Sequence, residues 1–179
     1  ASNKIINSQK FALVNASGNW FTTVFAKGNS SESIFEFQYT TSNLGPFYGI
    51  FYLRPQFQAS PITLEKFYGI DYNNPNNKDI RGEFASIVPG TNEIWKFTAF
   101  DYNTRKAFQD SDTHWFVYRY SDILLMNAEA LNELGQGADA INIIKDIRLK
   151  RGAIAITAEN PDPANKNDVV NYILSEIGR

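Results

Sequence analysis

Tyr118-Arg-Tyr-Ser-Asp-Ile-Leu-Leu-Met-Asn-Ala-Glu-Ala-Leu-Asn-Glu-Leu-Gly-Gln-Gly-Ala-Asp-Ala-Ile-Asn-Ile-Ile-Lys-Asp-Ile-Arg-Leu-Lys-Arg-Gly152 is the stretch that decides the fold. At a helical period, Asp122, Glu129 and Glu133 fall on one narrow face from Ser121 onward, while Ile123, Leu124, Leu125, Ala128, Ala130, Leu131 and Leu134 spread over more than half the circumference. An arc that wide predicts a helix packed on two sides. Gly135 is placed to end it in the left-handed conformation. A second helix is predicted from about Ala138, with Ala140, Ile141, Ile143, Ile144 and Ile147 in one stripe and Lys150, Arg151 and Gly152 as its basic last turn and stop. The short connection makes the two an antiparallel hairpin.

Small residues (Ala128, Gly135, Ala138, Ala140) sit where the two helices would approach closely, and the hairpin resembles the heart of a tetratricopeptide repeat. A single repeat cannot bury its own faces, so further helices must flank it. Ala1–Asn7 reads as the last turns of one such helix. Another, capped by Asn167 or Asp168, would carry Val169, Val170, Ile173, Leu174 and Ile177 on one side. A chain that begins and ends within a pattern is expected to be a segment of a larger domain.

Upstream the character changes. Of 26 aromatic residues, 25 precede Ser121, and the 19 asparagines cluster with Gly, Pro and Ser in long loops. The organisation is therefore a loop-rich aromatic region with short strands over 1–117, followed by tetratricopeptide-like helices over 118–179. The whole is mainly α, with irregular loops and a few short strands. Phe21–Phe25, Ser33–Tyr39 and Ile94–Phe100 read as strands; in the second, Phe35, Phe37 and Tyr39 alternate with Glu36 and Gln38, which predicts the rings inward. Pro61–Tyr68 reads as a short helix. Most of Phe21, Phe25, Phe35, Phe37, Phe97 and Phe100 are expected in the core.

Composition sets limits. The chain has 179 residues, 43% hydrophobic and 20% charged, with a formal charge of −2, enough for one domain with a real core. No apolar run approaches the roughly 18–20 residues of a bilayer helix. The near-neutral balance argues against nucleic acid as a partner. With no Cys, disulfides, thiolate catalysis and Cys-ligated metals are excluded, and a single His leaves little room for a His-ligated one. Ala1–Asn7 has no features of a signal peptide.

Three stretches carry a family resemblance. Asn29-Ser-Ser-Glu-Ser-Ile-Phe-Glu-Phe-Gln-Tyr39 resembles the SxESIFEIQY strand of the SusD/RagB family, and Asp79-Ile-Arg81 its DxR element. Tyr118–Asn132 with Ala140–Arg148 and Arg151-Gly152 resembles its long helical signature, the most specific of the three. The resemblance implies a surface lipoprotein of the Gram-negative outer membrane, built on tetratricopeptide-like helices. Such a protein binds oligosaccharides or polysaccharides for nutrient uptake and closes over a SusC-type TonB-dependent transporter. It implies no enzymatic activity and no cofactor, and membrane attachment only through a lipid anchor that this chain lacks. Asn127, often Tyr in the family, falls within the apolar arc and is expected to be buried and hydrogen-bonded. The alternatives are a docking module of tetratricopeptide type without a ligand of its own, and a glycoside hydrolase.

Individual chemical motifs have simpler explanations. Glu129 and Arg119 look like a catalytic acid and partner but read better as a buried helix-anchoring pair or as two residues with unrelated structural bonds. A glycosidase needs two carboxylates roughly 5–10 Å apart; Glu32, Glu36, Asp101, Asp110 and Asp112 are candidates by type only. Gly135-Gln-Gly-Ala-Asp-Ala140 matches a dinucleotide pattern but follows a helix, not a strand. Asp71–Asp79 has oxygens at alternate positions yet fails the EF-hand pattern at Asn76 and Gly82. The sequons at Asn15 and Asn29 are read as accidental, and His114 as packed within the aromatic run around Trp115. What remains for ligand binding are aromatics in Asn- and Gly-rich loops, Tyr48, Tyr52, Tyr68, Tyr72, Trp95 and Tyr102, since a ring stacks on the C–H face of a sugar while neighbouring amides bond its hydroxyls.

Overall fold

The computed structural model describes residues 1–60, 63, 79–153 and 159–179. The helical signature folds as its periodicity predicts. Helix α2 (Tyr120–Glu133) and helix α3 (Gly137–Lys150) form the hairpin, and Gly135 between them has φ +77°, the left-handed value that ends α2. Helix α4 (Lys166–Ile177) packs against both, and the short α1 (Ser2–Ile6) lies along α2. These flanking helices are the neighbours that the wide apolar arc of α2 requires. Ala128, Ala140, Ile141, Ile144, Ile147, Val169, Tyr172 and Ile173 form one buried core. Asn127 is buried and accepts a hydrogen bond from Ser2 Oγ at 2.9 Å, tying α1 to α2.

Of the small residues expected at the close approach, Ala128 and Ala140 are fully buried, whereas Gly135 and Ala138 are exposed. Gly137 is buried as well, with no room for a side chain; a Cβ there would meet the carbonyl oxygen of Pro163 at 2.3 Å. The cap of α4 also moves. Asn165, not Asn167 or Asp168, takes extended backbone and accepts from the amides of both at 3.1 and 3.3 Å. The buried face also differs from the predicted stripe: Val169, Tyr172, Ile173 and Glu176 are inside, while Leu174 and Ile177 are exposed.

Of the three strands predicted, only that at Ser33 forms, and it pairs with a strand that was not predicted. β1 (Ser33–Phe37) and β2 (Trp115–Arg119) form an antiparallel pair, and β2 runs directly into α2. The alternation in β1 is inverted: Glu36 is buried, whereas Phe35 and Phe37 are 50% and 54% exposed. The interior here is polar. His114 Nδ1 lies 2.7 Å from Glu36 Oε1, and the Asn29 amide donates to the same oxygen, so the carboxylate finds partners that a ring could not use. His114 is thus buried as expected, but bonded rather than merely packed.

Phe21–Phe25, read as a strand, lies in a helical segment over residues 20–26, with a π-helical turn at Thr22–Ala26. Trp20, Phe21, Val24 and Phe25 are spaced i, i+1, i+4, i+5 and all point inward. Phe47, Tyr48, Phe51 and Tyr52 repeat that spacing around a second π-helical turn, Gly49–Leu53, so paired aromatics four residues apart are the signal that a period-2 reading misses. Ile94–Phe100 makes turns with isolated bridges at Ile94 and Ala99 instead of a strand. Two aromatic clusters result, one of Trp20, Phe21, Val24, Phe25, Ala85, Trp95 and Ala99, the other of Phe47, Phe51 and Phe97 with Trp115 stacked on it. Phe100 is exposed. The helix read at Pro61–Tyr68 and most of the Asp71–Asp79 loop lie outside the described residues.

Candidate functional site

Of the six loop aromatics, Tyr68 and Tyr72 lie outside the described residues. Three others converge. The Arg105 guanidinium lies 3.6 Å over the Tyr52 ring and 4.7 Å from the centre of Trp95, and Tyr48 meets Tyr52 edge to face at 5.3 Å. Arg105 is held by Glu93 at 2.6 Å and by Thr98 Oγ1 at 3.0 Å, which fixes its plane against both rings. Tyr48 and Trp95 are buried, and the Trp95 indole N–H is spent on the Asp101 carbonyl at 2.9 Å. Burial, with Tyr52 alongside, pushes the Tyr48 hydroxyl above its ordinary pKa. Tyr52 is the exposed member, at 37%. Around it stand further exposed rings that sequence reasoning passed over: Phe108 beside Tyr48, Phe57 beside Phe51, and Phe84 edge-on to Trp95. Their loop positions were the available signal. Tyr102 belongs elsewhere: it packs on Phe21, its hydroxyl donates to the Ile80 carbonyl, and burial together with Asp79 pushes its pKa to about 12.

The acidic residues considered above have separate local settings. Glu129 is exposed, and Arg119 does not reach it; the Arg119 guanidinium lies near Phe25 and Phe116, and its backbone amide donates to Asp122. The expected buried Arg119–Glu129 pair is therefore absent. Asp101 closes a local turn by accepting from the amides of Asn103 and Thr104, and these bonds hold its carboxyl below the usual range. Asp112 pairs with Lys106 at 2.6 Å, and Asp110 is exposed. Among the described residues no three His, Asp or Glu side chains are grouped to hold a metal ion, and no helix is long and apolar enough to cross a membrane.

Two buried ion-pair systems join the motifs. Arg151 pairs with Glu32 at 2.7 Å, donates to the Val14 carbonyl and lies over Trp20, while Glu32 also accepts from the Val14 amide. Arg81 forks onto Asp79 and reaches Glu176 of α4 at 2.6 Å; Glu176 also takes Arg148 of α3 at 2.9 Å. Glu32 and Arg151 come from the first and last of the three resembling stretches, and Asp79 and Arg81 form the middle one. Their separation in sequence thus becomes contact in space.

The comparisons agree with this architecture. The model of the SusD family matches residues 56–179, and the chain belongs to that family. Over 107 residues it is 42% identical to a SusD-like protein of Formosa agariphila, a match covering 58% of this chain and 21% of that one. The crystal structure of a SusD-like protein from Bacteroides fragilis superposes with a TM-score of 0.66 at 15% identity, covering 98% of this chain and 46% of that chain. At such identity the likeness is one of fold. The chain spans about a fifth of the length of the first relative and less than half of the second.

Proposed function

We propose that the chain is part of a non-enzymatic, cell-surface glycan-binding protein that captures oligosaccharides or polysaccharides and delivers them to a SusC-type TonB-dependent transporter in the outer membrane. In this reading a lipid anchor elsewhere in the protein holds it at the membrane, and no cofactor takes part. Family membership supports the class. The observation that carries a binding role for this part of the chain is the Tyr52–Arg105 surface, where an exposed ring, a guanidinium and the Glu93 carboxylate lie within a few ångströms of one another. A sugar offers an apolar C–H face and a rim of hydroxyls, and this surface offers partners for both.

Isothermal titration against starch, xylan, laminarin, alginate and pectin tests the proposal, together with a reducing-sugar assay on the same polymers. Saturable binding without release of reducing ends is the expected result. Absence of binding to every polymer, or release of sugar, overturns it. A docking role is favoured by a separate observation: Leu134 and Leu149 stand about three-quarters exposed on the helical layer, and Leu174 and Ile177 about half. Co-purification with the transporter alone, with no glycan bound, would select that reading.

A further inference from the structure

A second surface of the molecule combines an open ring with polar groups that have bonding capacity to spare. It is a cleft of about 250 Å³ along β1, walled by Asn29, Ser30, Ser33, Phe35, Glu36 and Gln38. Gln38 Nε2 donates to Asn29 Oδ1 at 2.7 Å, so the two amides stand side by side and retain a donor on Asn29 and an acceptor on Gln38. Phe35 is half exposed beside them, with Phe37 5.4 Å away. Glu36 is buried. Its Oε1 is shared by His114 and the Asn29 amide, while its Oε2 has no partner among the described residues. No Lys or Arg lines the cleft.

We infer that this cleft is a subsite for a neutral sugar residue, an inference that rests on the glycan reading above and adds a substrate class and a location to it. The Phe35 ring takes the C–H face of the sugar, and the amides of Asn29 and Gln38 with the hydroxyls of Ser30 and Ser33 bond its hydroxyls. An apolar peptide would leave these groups unpaired. An anionic sugar would find no Lys or Arg in the lining to pair with, while the buried Glu36 is already held by His114.

The test uses the full chain and the same polysaccharides, of which starch, xylan and laminarin are neutral and alginate and pectin acidic. Wild type, Phe35→Ala, Gln38→Ala and Tyr52→Ala are titrated, with a thermal melt of each to verify folding. Wild type should bind a neutral polymer, Phe35→Ala should weaken binding about tenfold, and Gln38→Ala should weaken it by roughly threefold. Phe35→Trp should retain binding and change its emission when the polymer is added. If wild type binds a polymer and only Tyr52→Ala weakens it, this inference falls and the glycan reading stands. Binding confined to alginate or pectin overturns the neutral class. Failure of wild type to bind anything overturns both.

Discussion

Arg151 shows how much one side chain holds in this molecule. Its guanidinium is 2% exposed and is met by Glu32, which is fully buried, by the Val14 carbonyl and by the face of Trp20. Burial lowers its pKa against the opposite pull of Glu32. Removing one partner leaves the other charged and dry, so Arg151→Met should destabilise the fold by about 3–5 kcal/mol in urea unfolding. Adding Glu32→Gln should recover part of that loss, because the stranded charge is then gone. A variant as stable as wild type would show that the pair contributes nothing. Lys96 is the opposite case. Burial, reinforced by Arg119 and opposed by Asp122, lowers its pKa from 10.5 to about 8. Folding therefore disfavours its charged form, and the penalty is complete below pH 8 and fades as pH rises toward 10.5. Stability should increase between about pH 8 and 9.5, below the range where Tyr48, Tyr102 and Tyr172, whose pKa values are raised, act in the other direction. Lys96→Met should be more stable at pH 7 and should lose that rise. An unchanged slope in the variant would refute the assignment.

At the scale of elements, the α2–α3 hairpin and the β1–β2 ribbon follow different rules. The hairpin obeys local periodicity, but at Gly137 the Pro163 carbonyl touches the position a Cβ would fill. Alanine is the better helix former by about 1 kcal/mol, yet overpacking at a backbone oxygen costs about 1–3 kcal/mol, and the second effect should win. Gly137→Ala should thus lower the urea midpoint; a rise would mean that the loop before α4 yields freely. The ribbon obeys tertiary demand instead. The register pairs Glu36 with Phe116 and Phe37 with Trp115, and shifts on both sides of Phe35 accompany an inward carboxylate. Alternation announced a strand correctly. It did not reveal which face would be buried, because that depended on His114, 78 residues away.

On the scale of the whole molecule, an aliphatic helical core and two aromatic clusters are joined by the Arg151–Glu32 pair and by the Arg81–Asp79–Glu176–Arg148 system. The aromatic residues nearly all precede Ser121, so near-ultraviolet dichroism reports chiefly the aromatic clusters, while far-ultraviolet dichroism is dominated by α2, α3 and α4. Their thermal transitions should coincide in wild type and separate in Arg151→Met, since that substitution cuts one of the links. Separate transitions already in wild type would show that the links do not couple the parts.

The helices, their hairpin, the left-handed Gly135 and the need for flanking helices were all legible in residues 118–152, because helical burial repeats at a period that one segment displays by itself. The convergence of Tyr48, Tyr52 and Trp95 was legible only as a list of loop aromatics. Arg105, which gathers them, carries no motif and is placed by Glu93 and Thr98. The inward turn of Glu36 and the burial of Gly137 were likewise decided by partners distant in the chain. Local pattern fixes which segments become regular, since backbone hydrogen bonds and neighbouring side chains act over a few residues. Which polar group is buried, and which ring stays open to a ligand, depends on what the rest of the chain brings against it.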